Sequence, residues 1–286
     1  MTMAGPLQFD SPTALDYFAT LVADDDGFPV LEAAIVLAQD DEPGLDVQGT
    51  LAEVDALGRR LLQRIPADAA ALQRLRLLNH FFFRELGFAG NVNNFYDRQN
   101  SFLSAVLSTR RGIPITLALL YVELAAHAQL QAQGVSFPGH FLVKVHMPRG
   151  EVIIDPFNGR SLSRETLEER LLPYRQQQGL LDDDAIPLGL FLQPTPGRDI
   201  IARMLRNLKE IHRGALDWPR LLQVQQRLLI LLPEAWEEHR DLALVLAELG
   251  RHQAAAAALG TYLERQPGSA DAPLLRRHLV SWLRLQ

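Results

Sequence analysis

The 286 residues carry 28 basic against 34 acidic side chains, a net charge of −6 without long like-charge blocks, which excludes the basic footprint of a nucleic-acid binder. Apolar residues make up 48% of the chain, enough for one large core or two modest ones, and no run of about 18 uninterrupted apolar residues predicts a membrane span. There is no cysteine, which excludes disulfides, thiolate metal sites and thiol redox switching and agrees with a cytoplasmic location, as does an N-terminus lacking a basic segment ahead of an apolar one.

Residues 11 to 90 predict helices separated by short breakers. Ser11-Pro12 supplies a cap and a first-turn proline, and Phe28-Pro29 precedes a helix in which Leu31, Ala34, Ile35 and Ala38 recur at helical spacing. Asp24-Asp25-Asp26-Gly27 between them lacks the alternation and closing Glu of a calcium loop and reads as a solvated turn. Helices over 46–64 and 66–86 follow, with one stripe of Leu51, Val54, Leu57, Leu61 and Leu62 and another of Leu72, Leu75, Leu78, Phe82 and Leu86. Phe81-Phe82-Phe83 reads as part core and part lid over the next buried helix. GFAGNVNNFY, 87–96, has the Gly and Asn density of a structured loop, and a short helix is expected to open near Asn100-Ser101-Phe102-Leu103.

The segment from Asn100 to Arg160 is the one around which the rest is arranged. Pro114 to His127 is apolar on almost every side, as expected of a helix in the middle of a domain, and Gly112 and Pro114 give it an abrupt start with exposed N–H groups. Thr116, Glu123 and His127 are read as its least buried face. Glu123 and His127 stand four apart, a spacing a metal site could use, but no third ligand is evident and no metal or other cofactor is expected. Arg110-Arg111 either end the preceding helix as solvated charges or border a pocket and bind an acidic group of a ligand or of the chain itself. Beyond Gly134 the period changes to two, predicting a β-hairpin around Pro148-Arg149-Gly150. With a two- or four-residue loop Leu142 faces Asp155, and His140 and Asp155 share a sheet face roughly 7 Å apart; a three-residue loop would put them on opposite faces. A His oriented by a carboxylate beside a helix N-terminus is the arrangement of thiol hydrolases and transferases, although a turn contact and a cap would leave the same sequence trace.

GIPITLALLYVELA, GVSFPGHFLVKV and IIDPFNG together resemble the SirB1-type branch of the transglutaminase-like superfamily. The resemblance implies an α+β, mostly helical fold with a papain-like core, a buried helix packed on a small antiparallel sheet. In active members of the superfamily a Cys begins the helix, a His opens the next strand and an Asp ends the following one. His140 and Asp155 fall on the second and third positions, while Pro114 or its neighbour falls on the first. The nucleophile is absent, so the resemblance argues for the fold more than for acyl transfer.

Beyond Asn158-Gly159, Ser163-Arg164-Glu165-Thr166 predicts a helix start leading to Leu167, Leu171 and Leu172, and the proline-rich stretch from Leu180 to Arg198 reads as a connector. The tail is helical with a period: Pro233 and Pro267 stand 34 residues apart, and Leu249-Gly250, Ala255, Leu259 and Tyr262 fall as in a helix-turn-helix unit. It resembles tetratricopeptide repeats, with one degenerate unit, one clear unit and a capping helix over 272–285. Trp218, Trp236 and Trp282 are expected to fix it to the rest of the chain. The expected organisation is thus a helical part, 1–95, a transglutaminase-like core, 96–190, and a repeat tail, 198–286.

Two functions survive. One is a catalytically silent transglutaminase-like domain that binds protein or peptide, with the tail also offering a self-association surface; the other is a hydrolase or acyltransferase of amides or esters. In the second, His140 and Asp155 act as base and orienter, and a hydroxyl such as Ser101 or Thr116 replaces the thiol. Arg110, Arg111 and Asn158 are the candidate binding residues. The missing Cys and the lack of any G-x-S-x-G elbow favour the silent reading.

Overall fold

The computed structural model describes residues 13–24, 27–179 and 186–284. The expected Ser11-Pro12 cap, and Asp25 and Asp26 of the acidic turn, lie outside these. Helix α1 (Ala14–Leu21) is instead capped by Thr13, whose hydroxyl accepts from the Asp16 N–H while the Asp16 carboxylate accepts from the Thr13 N–H. Helix α2 (Val30–Val36) is buried from Ala33 to Val36, and α3 (Val47–Leu62) turns Val54, Leu57 and Leu61 inward but leaves Leu62 exposed. The helix expected over 66–86 is shorter: α4 (Ala71–Asn79) keeps Leu75 and Leu78 inside, leaves Leu72 outside, and runs into a π-turn, His80–Glu85. The wider turn changes the side-chain phase. Phe81 and Phe82 are thereby both buried, while Phe83 stacks on Tyr121 of the central helix with 5.8 Å between ring centres.

The loop after this turn contains a pairing not evident from sequence. Strand β1 (Ala89–Gly90) runs parallel to β2 (Arg111–Gly112), and between them lie a 3-10 turn, Arg98–Ser101, and helix α5 (Leu103–Thr109). Helix α6 (Pro114–His127) begins at its proline and is the buried axis, with Leu117, Leu120, Tyr121, Leu124 and Ala125 all fully inaccessible. Its outward strip is Val122, Glu123, Ala126 and His127; Thr116, expected on that strip, is fully buried.

Strands β3 (Ala132–Val135), β4 (Leu142–Met147), β5 (Gly150–Asp155) and β6 (Arg160–Leu162) form an antiparallel sheet in that order. Val143, Val145 and Ile154 point to α6, while Leu142 and Ile153 point outward, where Leu167 and Leu171 of α7 (Arg164–Gln178) and Leu188 of the short α8 (Leu188–Phe191) cover them. Ser163 caps α7 as expected. The described part of the connector runs along the free edge of β3, where the Thr195 N–H donates to the Gly134 carbonyl at 2.9 Å and the Thr195 hydroxyl accepts from the Ser136 N–H. It therefore closes the edge that an open sheet would present.

The large core does not end at this connector. Helix α9 (Gly197–Gly214) buries Ile200, Ile201, Met204, Leu205 and Leu208 in it, and α10 (Trp218–Leu231) adds Val224, Leu228 and Leu231. Helices α11 (Trp236–Glu248), α12 (His252–Arg265) and α13 (Ala272–Leu283) then build a separate core with Leu221 and Leu222 of α10. The three tryptophans all pack in this second core, so they do not fix the tail to the rest of the chain. The apolar faces of α9 and α10 do so, and charged pairs add to them: Arg227 and Arg220 of α10 bind Asp40 and Asp41 in the turn after α2, and the Arg227 guanidinium lies 5.7 Å from the centre of the Phe18 ring.

Candidate functional site

The hairpin pairs Met147 with Gly150 across the two-residue loop Pro148-Arg149, and Val143 with Ile154; continued, this register sets Leu142 opposite Asp155. Three residues before β4 begins, Gly139 adopts a left-handed φ of 69°, which favours glycine, and turns the chain so that His140 comes back over the end of β5. His140 Nε2 donates to Asp155 Oδ1 at 2.8 Å. The other imidazole nitrogen has no protein partner among the described residues.

Asp155 is 2% exposed and its oxygens are fully used. Besides His140, Oδ1 accepts from the Phe157 N–H at 3.1 Å, while Oδ2 accepts from Asn158 Nδ2 at 3.1 Å and from both terminal nitrogens of Arg170 at 3.2 and 3.3 Å. Burial pushes this carboxyl up, but the hydrogen bond and charge of His140, the Phe157 N–H and the Arg170 guanidinium outweigh it and hold it below the usual Asp value. Phe157 is fixed by a close approach: its carbonyl accepts from the Gly90 N–H at 2.8 Å, and a Cβ on Gly90 would stand 2.1 Å from its ring. The parallel β1–β2 pair thus props the loop that holds Asp155.

His140 faces a cleft of about 240 Å³ at the start of α6, where Ile113, Pro114 and Ile115 form one wall. Phe95 and Tyr96 form its rim, 44% and 81% exposed. The far wall is a face of α9, in which Arg203, Asn207 and Ile211 recur every four residues. Ser101 also lines the cleft; its Oγ is buried and has no hydrogen-bond partner.

The other expected site residues fall elsewhere. Thr116 is not presented to the cleft, because its hydroxyl donates within the protein, with the carbonyls of Asn100 and Ile113 at 2.8 and 3.0 Å. Arg110 and Arg111 do not border the cleft either. Arg110 ends α5 with a left-handed φ of 60° and lies over the Phe88 ring near Glu53, while Arg111 donates to the Gly87 carbonyl at 2.7 Å. Both are thus engaged by the chain itself. Asn158 serves Asp155 rather than the cleft. His127 meets Asp55 at 3.5 Å, and among the described residues no three potential ligands converge on a metal position. Arg170, Arg203 and Asn207 were missed. Arg170 was detectable from its place beside Leu167 and Leu171 on one helix stripe, whereas nothing local ties α9 to a histidine some sixty residues earlier.

A buried helix that opens on a cleft, a small antiparallel sheet, and a histidine bound to a strand-end aspartate define a transglutaminase-like architecture. A family profile described as transglutaminase-like superfamily matches residues 48–206, and one described as tetratricopeptide repeat matches residues 208–279. The chain belongs to the transglutaminase-like superfamily, alongside the UPF0162 proteins. A UPF0162 protein of Xylella fastidiosa (strain 9a5c) is 34% identical over 90% of this chain and 91% of its own length. UPF0162 protein PA3419 of Pseudomonas aeruginosa is 30% identical over 79% and 80%, and UPF0162 protein YchA of Escherichia coli K12 is 25% identical over 84% and 86%. No solved structure matches the chain.

Proposed function

We propose that the protein is a catalytically silent transglutaminase-like module, of the SirB1 type, that binds a protein or peptide segment in the cytoplasm. The observation that carries this reading is Pro114. It lines the cleft beside His140, and it or its immediate neighbour falls where active members of the superfamily begin the helix with a thiol; Pro114 offers neither a nucleophile nor an N–H. A His–Asp pair without an attached nucleophile could activate only water, and a proline at the helix start removes one of the donors an oxyanion would use. The pair then serves to hold the wall of a binding cleft, and the repeats supply further surface for protein partners. No helix among the described residues is long and apolar enough to cross a membrane.

One observation favours the second reading, an amide or ester hydrolase with a hydroxyl nucleophile: the unpartnered Ser101 Oγ at the same cleft. Assays of amide and ester turnover with the wild-type protein and His140→Ala separate the two. The silent reading expects no turnover above background and a lower melting temperature for the variant, because Asp155 loses a hydrogen-bond donor. Turnover that His140→Ala and Ser101→Ala abolish without changing stability would establish the enzyme instead.

A further inference from the structure

The cleft is cationic in a chain that is acidic overall. Arg203 is its one formally charged lining residue among those described, with His140 and Tyr96 the other ionisable ones, and no carboxylate among the described residues pairs with Arg203. Arg203 is half-buried. One of its terminal nitrogens donates to Ser136 Oγ at 2.6 Å, and the guanidinium lies 5.5 Å from the centre of the Phe141 ring, so the group is held in place with several donors left over. Burial with no compensating anion lowers its pKa, the mark of a cation short of a partner. At the same cleft lies the positive end of the dipole of the fourteen-residue α6, whose first N–H, since Pro114 has none, is that of Ile115, and the Ser101 hydroxyl is buried without a partner. The surrounding surface is apolar: Ile113, Ile115, Phe141 and Ile211 within, Phe95 and Tyr96 exposed at the rim.

We propose that this cleft binds the C-terminal carboxylate of a peptide whose last side chain is apolar, with Arg203, the Ser101 hydroxyl and the Ile115 N–H at the start of α6 as the donors. This rests on the peptide-binding reading above and names the part of the peptide that is recognised. Arginine fits a carboxylate with two parallel hydrogen bonds, helix N-termini favour anions, and the cleft volume suits one terminal residue rather than a folded surface. The side chain of that residue would lie against the isoleucines and Phe141, while the preceding residues leave across Tyr96.

The test is a calorimetric or fluorescence titration of the full-length protein with N-acetylated tripeptides ending in leucine, as the free acid and as the C-terminal amide. N-acetyl-leucine is included as a small carboxylate. The free-acid peptide is expected to bind at least tenfold more tightly than its amide, Arg203→Gln to remove most of that preference, and Ser101→Ala to weaken the free acid severalfold with the fold retained by circular dichroism. N-acetyl-leucine binding as tightly as the tripeptide would keep the carboxylate site but identify its ligand as a small acid and overturn the peptide. Acid and amide binding equally, or neither binding at millimolar concentration, overturns the carboxylate site. Those outcomes leave the non-catalytic reading standing, since it is decided by turnover assays.

Discussion

Five donors from four residues converge on the Asp155 carboxylate, so its ionisation should be visible in the stability of the whole protein. An unfolded Asp titrates near about 3.9, and the folded group titrates lower. The stabilisation from this network is therefore complete above the unfolded value and is lost as pH falls through the folded one. Asp155→Asn is expected to lower stability at pH 7 by on the order of 1–3 kcal/mol, because buried donors lose their acceptor, and to flatten the acid limb of stability against pH. Urea denaturation at several pH values between about 2 and 7 measures both. The proposed place of the missing nucleophile is tested by chemical reactivity. In a chain without cysteine, Pro114→Cys introduces a single thiol beside His140 and the α6 N-terminus. Such surroundings depress a thiol below its usual value near about 8.5, so alkylation by iodoacetamide should proceed at pH 7 faster than for a cysteine placed on an exposed loop, and His140→Ala should slow it. An ordinary alkylation rate at Pro114→Cys would mean that the histidine and the helix end do not cooperate.

At the scale of elements, the hairpin was readable and the walls around it were not. A strand has a period of two, so loop length alone decides which face each side chain takes; the sequence left that length open, and the two-residue Pro148-Arg149 loop of the structure sets the parity that joins His140 to Asp155. Inserting one residue after Arg149 should reverse that parity if the strands hold their ends, separating the pair and turning Ile154 out of the core. A large fall in melting temperature is expected from this insertion, whereas a like-sized insertion at the exposed turn after Pro267 should cost little. The buried helix was legible for a related reason: an all-round apolar pattern starting at a proline leaves few alternatives. The π-turn and the two-residue parallel pair were not, since each depends on contacts rather than pattern. Phe81-Phe82-Phe83 carry a partial signal, with two rings in the core and the third against Tyr121, and Gly90 carries none, because the ring it must accommodate, Phe157, is distant in sequence. Thr116 was misjudged because a hydroxyl on a buried helix is more simply used by nearby carbonyls than presented to a ligand.

At the scale of the molecule, the proline connector suggested a cut that the packing does not respect. Residues of α9 and α10 complete the large core, and α10 serves both cores at once. A chain truncated at Gly197 would lose the far wall of the cleft and six core side chains of α9, and is expected to be insoluble or molten by near-ultraviolet circular dichroism. A chain ending near Pro233 should retain a cooperative unfolding transition at reduced stability. The contact between tail and body also depends on a nearly buried charge, because Arg227 is 2% exposed where it meets Asp40. Arg227→Met should destabilise by about 3–5 kcal/mol by leaving Asp40 without its partner, and the double variant with Asp40→Leu should recover much of that loss in thermal denaturation.

Helix α9 has three working faces: one in the large core, one along the cleft at Arg203, Asn207 and Ile211, and one where Lys209 and Arg213 pair with Glu238 and Asp241 of the repeats. It is a single rigid element that joins these three places. Arg203 stands eleven residues from the end at Gly214, roughly 16 Å at helical rise, so a tilt of about 5° about that end carries the guanidinium about 1.4 Å, half the length of a hydrogen bond. The wall of the cleft and the seat of the repeats are thus carried on one rod, so Lys209→Ala, which removes its pairing with Glu238 and Asp241, is expected to be felt at Arg203 as well.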